Sequence, residues 1–267
     1  MDQALENPLK TKLSQGRPVF GIWSLIPSPI VTELFTLGGM DFQILDMEHG
    51  VFDMPALDAS IRACEAAGGS PLVRTPGVAP FVAQAVMDLG AHGVIVPQVS
   101  DAQSAKAAVD TIKYSPEGVR GYNPFTRAAL YSNPATNEFG KLNNRYGFAS
   151  VIIENKSAYE ALDRILEIPA LDMIYLGIYD MAVSLGCKGD TSAPEITAFV
   201  AAAARKGRAA GKAVGMLVKS RQEMTNALSL GANFLVYAVD TFMIRKMASD
   251  AVAEFRAAAS DALGGTA

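Results

Sequence analysis

Asp46, Glu48 and His49 fall within four residues at the end of a short apolar run, Phe42-Gln43-Ile44-Leu45, and Gly50 follows them. Such a run can form a buried strand, but packing gives no reason for two acids and one of the chain's two histidines at its carboxyl end. Histidine titrates near neutrality and suits proton transfer, while clustered carboxylates share a proton or bind a cation. The plainer reading is a hydrated strand end that is polar because loops are. Further along, Arg74, Gln98 and Glu154 each close an apolar run, and Asp180 lies just past Gly177 at the end of another. Leu217 with Lys219, and then Asp240, close two more. Taken singly, each acid reads as a surface group or ion-pair partner; their joint placement favours chemistry.

The scaffold that gathers such ends follows from the periodicity. Apolar runs begin near Val19, Phe42, Pro71, Gly93, Ser150, Met173, Ala213 and Phe234. Between them lie segments of helical period: Leu57, Ile61 and Cys64 share a face, as do Val82, Val86 and Leu89. Further helices are expected over 28–37, 101–113, 156–166, 193–210, 220–230 and 242–256. Eight strand–helix units predict a closed (β/α)8 TIM barrel, whose functional residues sit at the carboxyl ends of its strands. An open doubly wound sheet is the competitor, but the glycine-rich phosphate turn it needs after its first strand is missing; Trp23-Ser24-Leu25-Ile26-Pro27 stands there.

The 267 residues carry a net charge of −4 and are 50% hydrophobic, with no composition break or low-complexity linker. The reading is therefore one domain over 1–267, with the barrel at about 19–256. An extra N-terminal helix is expected to close one barrel end, and the tail from Ala258 to fray. The segment from Tyr114 to Ala149, rich in Pro, Gly, Arg and Tyr, is expected as an extended loop on the barrel's upper face, acting as a lid or a subunit contact. The acidic balance argues against nucleic acid or an anionic membrane as partner. No apolar stretch is long enough to span a bilayer, and the start lacks a signal-like core. Cys64 and Cys187 fit no metal or redox spacing and read as ordinary thiols. The expectation is a soluble, cytoplasmic protein with a small-molecule substrate.

Glu154 and Asp180, on neighbouring strands, could each give an oxygen to a divalent ion; Mg²⁺-type ions take one or two carboxylates and leave other positions to water and substrate. A zinc site rich in His and Cys is excluded by composition. A Schiff-base lysine is the rival, with Lys219 the better candidate and Lys156 the weaker.

The chain resembles the HpcH/HpaI family of class II, metal-dependent pyruvate aldolases, of the phosphoenolpyruvate/pyruvate-domain barrel type. The resemblance rests on Asp46-x-Glu48-His49-Gly50, Leu72-Val73-Arg74, Gly90-Ala91-x-Gly93-Val94-Ile95-Val96-Pro97, Tyr114-x-Pro116-x-Gly118-x-Arg120-Gly121, Ile153-Glu154, Gly177-x-x-Asp180 and Val239-Asp240-Thr241. It covers roughly Val19 to Arg256, and order and spacing together carry it.

It implies reversible aldol cleavage of a 4-hydroxy-2-oxo acid to pyruvate and an aldehyde through a metal-bound pyruvate enolate. The cation would be Mg²⁺, Mn²⁺ or Co²⁺, on Glu154 and Asp180. His49 matches the general base, and Asp88 an acid that raises that histidine's basicity. Arg74 matches the residue that stabilises the enolate, although it could merely pair with Glu48. Tyr179 and Leu217 sit where backbone amides would hold the pyruvate carboxylate. The family is usually hexameric, with the last helix exchanged between subunits. Two departures bear on substrate: Ile152 stands where the family has Gln, and Tyr179 precedes the second ligand in place of a small residue. They keep open other enolate carbon–carbon chemistry, such as citrate-synthase-like condensation, and a non-catalytic 2-oxo acid binding protein.

Overall fold

A computed structural model describes residues 6–131 and 136–263. Eight parallel strands close on themselves in chain order: β1 (Val19–Ser24), β2 (Phe42–Asp46), β3 (Ser70–Arg74), β4 (Gly93–Val96), β5 (Phe148–Ile153), β6 (Met173–Leu176), β7 (Ala213–Val218) and β8 (Phe234–Val239). The helices are α1 (Pro8–Ser14), α2 (Pro29–Leu37), α3 (Met54–Ala66), α4 (Pro80–Asp88), α5 (Ala102–Asp110), α6 (Thr136–Tyr146), α7 (Lys156–Glu160), α8 (Leu162–Leu166), α9 (Ile178–Ser184), α10 (Pro194–Ala209), α11 (Arg221–Ser229) and α12 (Asp240–Ala262). The expected barrel with its extra N-terminal helix is what forms.

Local chemistry sets the helix starts. Ser28, Asp53, Asp101, Asn155 and Ser220 cap their helices by accepting a backbone N–H from the first turn. Proline follows directly at Pro29 and Pro80, where its missing N–H costs nothing.

Strand periodicity sorts the side chains into two layers. Alternate residues fill the barrel, among them Phe42, Ile44, Leu72, Ile95, Phe148, Ile152, Met173, Tyr175 and Phe234. The others pack outward against helices, as Leu45, Val73, Val94, Val151 and Ile174 do. At the amino end of the barrel Phe42 stacks on Phe234 at 3.9 Å between centroids. Gly21 and Gly93 are what this floor requires: a Cβ would come within 2.3 Å and 2.2 Å of the Phe42 and Phe148 carbonyl oxygens. Helix α1 plugs the same end, where the Asn7 side-chain amide donates to the His92 and Tyr146 carbonyls at 2.9 and 2.8 Å.

Several expectations need correction. The segment between α5 and β5 is no extended loop: it contains a 3-10 turn at Arg127–Ala129 and α6. It also lies at the amino end of the barrel, because it follows the descending helix α5 and feeds the start of β5. Arg127 pins it there, bonding Glu65 and donating to the Leu89 carbonyl at the end of α4. The part that is described is therefore no lid over the mouth of its own barrel. The helix expected over 156–166 is broken at Ala161 into α7 and α8. The last helix runs on to Ala262 where fraying was expected from Ala258; Gly264 to Ala267 lie outside the described residues.

Candidate active site

Carrying the inward parity of each strand to its carboxyl end names the residues of the mouth in advance. Positions 42, 44 and 46 of β2 point inward, so Asp46 does; likewise Arg74 on β3, Ile152 and then Glu154 on β5, Tyr175 and then Gly177 on β6, and Leu217 on β7. A cavity of about 300 Å³ is lined by these seven together with Trp23, Leu25, His49, Ile178, Tyr179, Asp180 and Val239, among others. An outer cavity of about 360 Å³ adjoins it through His49, Glu154 and Asp180, adding Glu48 and Gln98.

The register pairs Asp46 directly with Arg74. The Arg74 guanidinium grips Asp46 through Nε at 2.8 Å and through Nη2, and Nη1 stands 3.0 Å from Glu48 Oε2. Its charged carbon lies 4.4 Å from the Trp23 ring centroid. Arg74 thus pairs with Glu48, but with Asp46 as well, and each terminal nitrogen still carries a further N–H. Asp46 is fully buried and also accepts the backbone N–H groups of Glu48 and His49 at 2.9 and 3.3 Å. It therefore shapes the loop that holds His49, whose imidazole is 64% exposed and stands 3.9 Å from Glu48 Oε2.

Glu154 is 8% exposed. Burial, with the charges of Asp180 and Glu48, pushes its carboxyl up to about 7, although the Gln98 backbone N–H donates to Oε1 at 2.5 Å. Gln98 adopts φ 61°, a left-handed backbone that is uncommon outside glycine. Its side-chain amide donates to Glu48 Oε1 at 2.8 Å, so one residue tethers two acids. Gly177 allows β6 to approach: a Cβ there would lie 2.6 Å from Glu154 Cβ and 3.0 Å from Ile152 Cγ2. Asp180 follows in the first turn of α9, exposed at the mouth. Below them the Trp23 indole N–H donates to the Tyr175 hydroxyl at 3.1 Å.

The site residues read from the sequence separate into two groups. His49, Arg74, Glu154, Tyr179, Asp180 and Leu217 line one cavity. Asp88 does not join them: it sits at the foot of α4, five positions before β4 begins, and binds Arg120 at 2.5 Å. Lys219 is exposed and donates to the Tyr179 hydroxyl, and Lys156 is exposed beside Glu160. Neither is the desolvated lysine that a Schiff base needs. Trp23, Tyr175 and Gly177 were not picked out as site residues, yet strand parity carries them to the mouth. No sequence signal announced the backbone of Gln98.

A profile of the HpcH/HpaI aldolase/citrate lyase family matches residues 19–246. The chain belongs to that family. A hydroxypyruvate/pyruvate aldolase of Roseovarius nubinhibens is 28% identical over 94% of this chain and 97% of its own length. A 4-hydroxy-2-oxo-heptane-1,7-dioate aldolase of Shigella sonnei is 30% identical over 96% of this chain and 97% of its own. The crystal structure of a citrate synthase superposes with a TM-score of 0.86 at 28% identity, covering 94% of this chain and 98% of that one.

Proposed function

We propose that this chain is a single-domain carbon–carbon lyase that cleaves a 4-hydroxy-2-oxo acid reversibly to pyruvate and an aldehyde. The observation that carries the reading is the meeting of Glu154, Asp180, Arg74 and His49 in one cavity at the carboxyl ends of the strands. The relatives named as aldolases support the reaction class.

The donor set fits a hard divalent cation. A glutamate whose carboxyl is raised by burial and by two neighbouring acids has only Arg74, already engaged by Asp46 and Glu48, as a nearby positive charge, and a cation supplies the rest. Among the described residues no group of three or more His, Cys, Asp or Glu is placed to hold a metal ion, so the protein's share of the coordination would be these two carboxylates. Two carboxylates leave coordination positions for water and a chelating 2-oxo acid, as Mg²⁺, Mn²⁺ or Co²⁺ accept. Held by Glu154 and Asp180, such a cation would polarise the keto carbonyl.

The chain's own groups then do the rest. The free N–H groups of Arg74 face the electron pair that arrives at the C2 oxygen when the C3–C4 bond breaks. Asp46, Glu48 and Trp23 keep the guanidinium in place, so it need not reorganise as charge develops. His49, at the open rim, takes the proton of the C4 hydroxyl, and the C3 carbon of the enolate is protonated afterwards. No net proton is gained or lost. The backbone amides at Tyr179 and Leu217 hold the pyruvate carboxylate, and buried Ile152 keeps the space beneath it dry.

A homo-oligomer, hexameric by resemblance, goes with this reading. Of the 23 residues of α12 only Asp240 is buried, and Phe242, Ile244, Met247, Val252 and Phe255 are exposed. A second copy exchanging this helix would cover them, and any service of Asp88 to His49 is then between subunits. Two free thiols suit a cytoplasmic setting, and no helix among the described residues is long and apolar enough to cross a membrane.

The test needs no knowledge of the aldehyde. Pyruvate in D₂O with Mn²⁺ is expected to exchange its methyl protons, EDTA to stop the exchange, and Glu154→Gln to abolish it. Exchange that survives EDTA refutes the cation, and none with any of the three metals favours a non-catalytic binder. Likeness to a citrate synthase keeps condensation with a keto acid as the second reading; product analysis with oxaloacetate decides it.

A further inference from the structure

The mouth described so far is acidic. Asp46, Glu48, Glu154 and Asp180 gather there, and Arg74 is already engaged by the first two. One further cation stands at its edge. Lys219 follows directly after β7, and its ammonium donates to the Tyr179 hydroxyl at 2.5 Å while lying 5.2 Å from that ring's centroid. An ammonium has three donors, so the contact leaves two for another acceptor. Glu223 accepts the Lys219 backbone N–H at 2.8 Å, a bond to the main chain and not to the ammonium.

Tyr179 marks a boundary. A second cavity, of about 460 Å³, opens between β7, α10 and α11, and it shares Ile178, Tyr179 and Leu217 with the cavity that holds Arg74 and Glu154. Its polar lining includes Thr191, Ser192, Thr197, Asn226 and one acid, Glu223, and Lys219 is the one lysine in either lining. A substrate with its 2-oxo acid end at Glu154 and Asp180 has its other end free to pass over Tyr179 into this space.

We propose that Lys219, held by Tyr179, binds an anionic group, a carboxylate or a phosphate, at the far end of the aldehyde half of the substrate. This rests on the aldolase reading and adds the class of the acceptor. The tyrosine has two tasks here: its hydroxyl fixes the ammonium in direction, and its ring forms the wall that the chain of the substrate crosses.

The experiment is aldol addition of pyruvate, with Mn²⁺ present, to two matched pairs of aldehydes. Succinate semialdehyde is compared with butanal, and glyceraldehyde 3-phosphate with glyceraldehyde. The wild-type enzyme is expected to favour the anionic member of at least one pair by about tenfold or more in kcat/KM, mostly through KM, the size of one hydrogen bond to a charged group. Whichever pair shows the larger ratio identifies the group as carboxylate or phosphate. Lys219→Met is expected to remove most of that ratio and Lys219→Arg to restore it. A ratio near one in both pairs overturns the proposal. So does a Lys219→Met enzyme that slows anionic and neutral aldehydes equally, which is the mark of a merely structural lysine. Exchange of pyruvate methyl protons without any aldehyde reports separately on the enolate chemistry. Its loss in the wild type would mean that the aldolase reading has failed, whereas its presence without a charge preference would mean that only the subsite has.

Discussion

Replacing Gly177 by alanine adds a single methyl group, and the structure says where it lands. The Cβ would stand 2.6 Å from Glu154 Cβ, 3.0 Å from Ile152 Cγ2 and 3.2 Å from Glu154 Oε2. Carbon atoms pack at about 3.5–4.0 Å, so relief needs a displacement of about 1 Å. Ile152 lies in the packed interior of the barrel, and Gly177 is itself anchored by its N–H to the Ile153 carbonyl at 3.1 Å. Glu154 is therefore the group that moves. Overpacking of this kind costs about 1–3 kcal/mol of stability, which a barrel of this size tolerates. A shift of about 1 Å in a group that positions substrate costs about 100-fold in rate. The expected outcome is a folded Gly177→Ala protein with weakened Mn²⁺ binding and pyruvate proton exchange down by about two orders of magnitude. Circular dichroism and thermal melting check the fold, calorimetric titration the cation, and proton NMR in D₂O the exchange. A folded variant with wild-type cation affinity and exchange rate would refute both the placement of Glu154 and its proposed role.

Two more predictions follow from single groups. Glu154 binds a cation only when ionised, and burial puts its carboxyl at about 7. Below that value protons compete, so Mn²⁺ affinity is expected to fall by about tenfold per pH unit as pH drops from 7; titrations from pH 5.5 to 8 that show no slope would contradict it. Asp240 is fully buried and accepts the N–H groups of Leu25, Ile26 and Thr241 at 2.9, 2.9 and 2.6 Å. Asp240→Ala strands those amides and is expected to cost about 1–3 kcal/mol or more in urea unfolding, a loss that Asp240→Asn recovers only in part because its NH₂ cannot accept.

The barrel was legible in the sequence because two short-range rules sufficed. Short apolar runs alternate with segments of helical period, and eight such units without the glycine-rich turn of an open doubly wound sheet fit a closed barrel. The same rule put Arg74, Glu154 and Asp180 at strand ends, whereas the inward parity of Trp23 and Tyr175 is read from the packed barrel, because their strands are apolar on both faces. Tertiary structure decided what local pattern cannot carry. Whether Arg74 meets Glu48 or Asp46 depends on the register between β2 and β3. The tether of Glu154 depends on a backbone angle at Gln98 that its side chain does not encode. The described part of the segment from Tyr114 to Ala149 lies at the amino end of the barrel because α5 carries the chain down before it begins, although its composition suggested a lid or a subunit contact. Asp88, which the family resemblance matched to His49, binds Arg120 within its own chain. Residue types and their spacing determined which groups face the mouth; only packing across distant strands determined which of them touch, because contact depends on register and dihedral angle and not on order along the chain.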